Sequence, residues 1–279
     1  MTSRVASAST YLFVPANRPD RYAKALASGA DAVIVDLEDA VALPQKDEAR
    51  ATLAQWIADN GAQQRLWVRV NAADTVWHAG DVQAFAALPV GGIVLPKVET
   101  PAAVSAIAAR LHPGAGVIAL IESAAGLAAM RQIAAEPGVV RLAFGSIDAQ
   151  VDLGMQCGPE EEELLQFRVE MVLASRLAGI APPIDGVTTA FDDAGFLAKM
   201  VARARRLGFG AKLCIHPRQV DEVRRGFMPT PQELAWAREV MAAVRAGDGG
   251  AISLKGKMVD KPVIMQAEKF LHQAGELQH

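Results

Sequence analysis

Val117-Ile118-Ala119-Leu120-Ile121-Glu122 and Leu142-Ala143-Phe144-Gly145, the latter followed by Asp148, decide the fold. Each is a short apolar run ending close to a carboxylate. Runs that are apolar on both faces suit parallel strands covered on two sides. If both are neighbouring parallel strands, Glu122 and Asp148 emerge at the same end of one sheet. Two hard oxygen donors at such a mouth suit Mg²⁺ with positions left open for substrate. Without a cation, a buried pair of this kind would take up a proton.

Working outward, similar runs recur at Tyr11–Val14, Ala32–Asp36, Leu66–Val70, Gly92–Leu95, Pro183–Asp185 and Ala211–Ile215. Stretches with helical apolar spacing separate most of them, such as Pro101–Leu111 and Asp193–Leu207. Eight strand–helix units in this length predict an α/β chain closed as a (β/α)₈ TIM barrel, with Pro182-Pro183-Ile184-Asp185 the weakest strand. The barrel domain is expected over 1–228. A C-terminal extension over 229–279 holds helices at Pro231–Arg245 and Lys261–Leu277, a glycine-rich break at Gly247-Asp248-Gly249-Gly250 and a hairpin within Ala251–Val259.

Composition narrows the class. The 279 residues are 51% hydrophobic and carry a net charge of −3, with no basic stripe interleaved with aromatics, so nucleic acid is not an expected partner. Cys157 and Cys214 are the two cysteines, too few for a disulfide framework. No run is long enough to span a membrane. The short polar start lacks a signal-peptide core, and a cytoplasmic location is expected.

In a barrel, the strand ends on one rim carry the chemistry. Here they bear Asp36-Leu37-Glu38-Asp39, Arg69-Val70-Asn71, Lys97-Val98-Glu99, Glu122-Ser123, Asp148 and His216. Glu122 and Asp148 are read as metal ligands. Arg69 needs an anion, either a substrate carboxylate or a structural partner such as Asp36 or Glu38. Asp36, Glu38 and Asp39 could hold metal-bound waters, and Asp39 could equally cap a helix. Lys97 reads as a rim charge. Glu160–Glu163 read as acidic residues at a helix start without chemistry. Arg18 and Lys24 follow the first strand and could attract phosphate; their plainer reading is a solvated helix start.

These stretches together resemble the citrate lyase β-subunit-like branch of the HpcH/HpaI aldolase superfamily, which includes malyl-CoA and citramalyl-CoA lyases. The resemblance is carried by Phe13–Pro19, Asp36–Val41, Arg69–Asn71, Leu95–Glu99, Ile121–Leu127, Phe144–Gly154 and Lys212–Val220. It implies a Mg²⁺-dependent carbon–carbon lyase acting on a CoA thioester and yielding a 2-oxo acid. It places Glu122 and Asp148 on the metal, Arg69 as the anion binder and Arg18 with Lys24 at CoA; Arg69 and Glu38 are expected in catalysis, and Phe13 with Arg69 at the substrate. Gly256-Lys257-Met258-Val259-Asp260-Lys261-Pro262-Val263 resembles the carboxyl-terminal motif of the malyl- and citramalyl-CoA lyases. That implies that Asp260 is a catalytic acid/base acting on an adjacent subunit of a homotrimer or hexamer, besides capping a helix. Three alternatives stay open: a citryl-CoA lyase subunit needing an acyl-carrier partner, a CoA-independent 2-oxo acid aldolase, and a non-catalytic barrel.

Overall fold

The computed structural model describes residues 7–246, 252–255 and 257–277. The expected glycine-rich break, Ala251, Gly256 and His279 lie outside the described residues. The chain divides into two compact units at Arg224/Arg225, and each is described by itself.

In the first unit, eight parallel strands close a barrel in sequence order. They are β1 (Thr10–Pro15), β2 (Ala32–Asp36), β3 (Gln63–Arg69), β4 (Val90–Leu95), β5 (Gly116–Ile121), β6 (Val139–Phe144), β7 (Ala181–Asp185) and β8 (Ala211–Cys214). β1 pairs with β8 to complete the circle. The connections carry α1 (Tyr22–Ala27), α2 (Lys46–Asn60), α3 (His78–Phe85), α4 (Pro101–Ala108), α5 (Ala124–Ala134), α6 (Ser146–Asp152), α7 (Leu165–Leu177) and α8 (Ala194–Leu207). The expected (β/α)₈ barrel is therefore the observed one. α9 (Val220–Phe227) follows β8.

Alternation along the strands sorts the core. Tyr11, Ile34, Trp67, Val94, Ile118, Leu120, Ala143, Ile184 and Leu213 form one buried cluster. Gly91 and Gly92 make room for the Trp67 indole; a Cβ at either would come within 2.7 Å of that ring. The weakest expected strand does form, as Ala181–Asp185. Its ladder to β6 skips between Arg141↔Ala181 and Ala143↔Ile184. Pro182 and Pro183 lack the N–H groups that a regular ladder needs.

One ionic network is sunk into this core. Asp185, at the end of β7, is fully buried. It accepts from Arg168 Nε at 2.8 Å and from Lys212 Nζ at 3.2 Å. Although burial opposes ionisation, Lys212 and Arg168 hold its carboxyl down at about 2. Arg168 also reaches Glu161, whose backbone lies in the left-handed region at φ 49°. Glu161 thus stands at the helix start expected for the Glu160–Glu163 run and in addition forms an ion pair.

The second unit contains α10 (Pro231–Ala246), a hairpin of β9 (Ile252–Leu254) and β10 (Lys257–Val259), and α11 (Lys261–Gln273). Val240, Val259, Ala267, Phe270 and Leu271 form its apolar centre. Trp236 meets Phe270 edge to face. Asp260 caps α11, accepting from the Val263 N–H at 3.3 Å.

Removing one partner of a buried ion pair leaves an uncompensated charge and costs about 3–5 kcal/mol. Asp185→Ala strands Arg168 and Lys212 and should lower stability by about that amount in chemical denaturation. Asp47→Ala, at an exposed pair with Arg50, should cost less than about 1 kcal/mol.

Candidate active site at the carboxyl ends of the strands

A cavity of about 400 Å³ opens at the strand ends. Phe13, Arg69, Glu122 and Asp148 all line it. Glu122 directly follows β5, while Asp148 lies in the first turn of α6. Both therefore arise at the carboxyl-terminal rim. Leu120, Phe144, Val187 and Leu213 supply apolar lining to the same cavity.

Glu122 is buried and tightly fixed. Its Oε1 accepts from the Lys97 backbone N–H at 2.7 Å. Lys97 aims that N–H by adopting φ 49°, a left-handed conformation that a non-glycine residue holds at a cost. Gly145 supplies the other wall: a Cβ there would stand 2.3 Å from Glu122 Oε2. Ser123 caps α5, accepting from the Gly126 N–H at 3.1 Å and donating to Glu99 at 2.8 Å. The motif from Ile121 to Leu127 thus sets a carboxylate and starts a helix in one stroke.

Arg69 is nine-tenths buried and engaged on nearly every side. Nε and Nη2 donate to the two oxygens of Asp36 at 2.6 and 2.7 Å. Nη1 lies 3.0 Å from Glu38 Oε2. The register places Asp36 directly opposite Arg69 on neighbouring strands. The guanidinium also lies over the Phe13 ring, 4.9 Å from its centroid. Burial works against its charge, yet Asp36 and Glu38 hold its pKa above the ordinary value. The structural partner left open by sequence is thus Asp36 together with Glu38, and Arg69 still borders the cavity.

Glu38 stands beside Arg69, and neither of its buried oxygens makes a hydrogen bond of good geometry, although Lys97 Nζ is 3.4 Å away. Burial pushes its carboxyl up to about 7, against the pull of Arg69. Glu122 is pushed up to about 8 by burial, by Glu38 and by Asp148. Asp39 lies 3.5 Å from Arg69 and caps no helix, since the next turn begins at Leu43. Lys46, unmarked by any sequence signal, anchors this acidic turn by donating to the Leu37 and Glu38 carbonyls and to Asn71.

Arg18 forms a two-pronged pair with Asp20, and Lys24 is exposed on α1; neither lines the cavity. Asp260 belongs to the second unit.

The donor set fits a divalent cation. Among the described residues no three acidic, histidine or cysteine side chains converge. Two hard carboxylates, one raised in pKa by its own burial and by a like charge, are what Mg²⁺ takes when water and substrate fill its remaining positions. Glu122 and Asp148 are the residues that would hold it.

Two outcomes follow from this geometry. Upward shifts mean that metal-free folded protein keeps protons on Glu38 and Glu122 that the unfolded chain releases above about 4.5. Their contribution to stability is full below that value and is lost as pH rises through about 7 and 8. Calorimetric melting of metal-free protein should therefore show a falling midpoint between these limits, and Mg²⁺ should flatten the fall. Separately, Gly145→Ala should weaken divalent-cation binding about tenfold or more, because Glu122 must move. Mn²⁺ titration followed by electron paramagnetic resonance reads that loss, and an unchanged far-ultraviolet spectrum excludes unfolding.

Residues 9–217 match the HpcH/HpaI aldolase/citrate lyase family model. A citrate lyase subunit beta-like protein of Mycobacterium tuberculosis is 38% identical over 271 residues, covering 95% of each chain. A (3S)-malyl-CoA thioesterase of Cereibacter sphaeroides is 35% identical over 94% of this chain and 93% of its own. The crystal structure of protein CitE from Mycobacterium tuberculosis in complex with magnesium, acetoacetate and coenzyme A superposes with a TM-score of 0.86 at 37% identity, over 98% of this chain and all of that one. In the second unit's range no helix of the described residues, nor any in the barrel, is long and apolar enough to cross a membrane. With its barrel, its rim carboxylates and a family match across most of its length, the chain belongs to the HpcH/HpaI aldolase/citrate lyase family, in its citrate lyase β-like branch.

Proposed function

We infer that this protein is a Mg²⁺-dependent lyase that cleaves a 3-hydroxyacyl-CoA, such as malyl-CoA or citramalyl-CoA, to acetyl-CoA and a 2-oxo acid. The observation that carries the reading is the mixed lining of one cavity, where Glu122, Asp148 and Arg69 stand with the apolar side chains of Leu120, Phe144, Val187 and Leu213. The charged groups suit a hydroxy acid, and the apolar ones suit the carbon chain of a thioester. Relatives named for malyl-CoA, and a related structure holding coenzyme A with magnesium, support this substrate class.

When bound, Mg²⁺ supplies Lewis acidity toward the substrate hydroxyl and carboxylate. Glu122 and Asp148 hold it. Arg69, fixed by Asp36 and Glu38, faces the negative charge that builds as the carbon–carbon bond breaks. Glu38 acts through Arg69 as a positioning residue. As the hydroxyl becomes the oxo group it gives its proton to solvent. The electron pair of the broken carbon–carbon bond is left on the thioester enolate, and the enolate carbon takes its proton from Asp260 of an adjacent subunit. A cavity of about 400 Å³ admits the reacting acyl portion but not a whole CoA. The remainder would lie outside, where Arg18 can exchange Asp20 for phosphate and Lys24 is exposed. Action of Asp260 across subunits requires a homo-oligomer, read as a trimer or hexamer.

Incubation with malyl-, citramalyl- and citryl-CoA plus Mg²⁺ tests the reading. Trapping should recover an oxo acid together with acetyl-CoA. Free CoA with intact hydroxy acid would instead mark a thioesterase, and cleavage of only free hydroxy-oxo acids would mark an aldolase. Glu122→Ala or Asp148→Ala should abolish Mg²⁺-dependent cleavage. Asp260→Asn and Arg69→Ala subunits, each inactive alone, should regain partial activity when mixed; no regain would remove Asp260 from the neighbouring site.

A further inference from the structure

The two rim carboxylates are carried differently. Glu122 directly follows a barrel strand, whereas Asp148 rides on α6, a helix of 7 residues whose N-cap, Gly145, makes no side-chain cap. So short a helix does not hold itself in water, and its packing sets its direction. Whatever aims α6 therefore aims Asp148.

The contacts on α6 come from two sides. Its last turn is held by Asp152, which accepts from the Ala124 N–H at 2.6 Å. Its first turn is held by Glu161. Oε1 of Glu161 accepts from the Ser146 hydroxyl at 3.0 Å and from the Gln150 amide at 3.3 Å. Those two donors are four residues apart and share one face of the helix. Oε2 of Glu161 pairs with Arg168, which also donates from Nη1 to the Glu161 carbonyl at 3.3 Å. Arg168 is tied in turn to Asp185 at the end of β7. One carboxylate thus joins α6 to the ion pair buried in the barrel, with an oxygen for each. Ser146 is itself buried and closely fitted: a Cβ on Gly186 would stand 2.7 Å from its hydroxyl oxygen.

Two features separate this link from an incidental ion pair. Arg168 already has a buried carboxylate in Asp185. Glu161 nevertheless reaches it from φ 49° and ψ 44°, a backbone that a non-glycine residue holds at a cost. Strain of this kind persists where the surroundings over-determine it, and it gathers at functional sites.

We propose that Glu161 is a positioning residue for the metal site: through Ser146 and Gln150 it fixes the direction of α6, and so the place of Asp148 relative to Glu122. This role rests on Glu122 and Asp148 as the residues that hold Mg²⁺, and not on which bond is cleaved. It divides the work of one side chain. Oε2 serves the stability of the barrel, and Oε1 serves the affinity of the site.

Mn²⁺ titration of the full-length protein by electron paramagnetic resonance, with calorimetric melting of the metal-free protein, separates the two oxygens. Ser146→Ala/Gln150→Met removes both donors to Oε1 and leaves the Arg168 pair in place. It should weaken Mn²⁺ binding about tenfold, as loss of the groups that support a ligand does. Glu161→Ala should weaken binding to the same extent and lower the melting midpoint further, because Arg168 loses its second carboxylate. The triple variant should bind Mn²⁺ no more weakly than Glu161→Ala, since the three groups act through one contact. Affinity of Ser146→Ala/Gln150→Met within about twofold of wild type would overturn the proposal. So would losses that add in full in the triple variant, or affinities that follow the melting midpoints instead of falling together. Asp148→Ala is the reference and should lose the site. A wild-type titration in that variant would reject the metal assignment itself, a failure distinct from an unmoved Ser146→Ala/Gln150→Met.

Discussion

Charge at the barrel's open end is unbalanced, and the rest of the site is arranged around that fact. Asp36, Glu38, Asp39, Glu122 and Asp148 stand on one rim, while Arg69, Lys97 and the buried Lys46 are the cations set against them. Arg69 neutralises Asp36 with two hydrogen bonds. What remains must be met by protons, as the raised pKa values of Glu38 and Glu122 indicate, or by a cation. The structure spends local strain to keep the deficit in place. Lys97 takes a left-handed backbone to hold Glu122, and Lys46 is buried to hold the Asp36–Asp39 turn. Arrangements that oppose the relaxation of like charges are characteristic of sites built to receive something.

Much of this was legible in the chain because parallel strands buried on both faces read as unbroken apolar runs. The residue ending each run is then a rim residue by position alone. The reading weakened where local chemistry departed from that rule. Pro182 and Pro183 obscure β7, since they remove the donors by which a strand is ordinarily known. The partner of Arg69 stayed open because it depends on register: Asp36 sits opposite it only once β2 and β3 are aligned. The ion pair of Glu161 is not legible in the run Glu160–Glu163, because it depends on a left-handed turn that aims the side chain at Arg168. The available signal was Arg168 itself, a charged residue four after Leu164 and three before Met171 on the buried stripe of its helix. Asp260 belongs to a different category. Among the described residues its side chain is marked only by the cap on α11, and its catalytic reading comes from family resemblance.

Two layers of ionic structure meet in the barrel. The rim layer is exposed to ligand and unbalanced. Beneath the β7–β8 end lies the Asp185 layer, where Arg168 and Lys212 leave no unsatisfied charge on the carboxylate and its pKa falls to about 2. The same kinds of side chain thus do opposite work, set by whether their charges cancel. Ser146 links the layers, donating to Glu161 at 3.0 Å from the first turn of the helix that carries Asp148.

The cavity's lining of both charged and apolar side chains has a consequence for how such a protein can diversify. Gly145 admits no side chain without striking Glu122, and Arg69 cannot be exchanged without stranding Asp36 and Glu38. Those positions are locked to one another. Leu120, Val187 and Leu213 take part in no ion pair, and replacing one by a smaller or larger apolar residue disturbs only packing and volume. Reaction and substrate size are therefore separable traits in this fold: a lineage can try new acyl chains one wall residue at a time while its chemistry stays fixed.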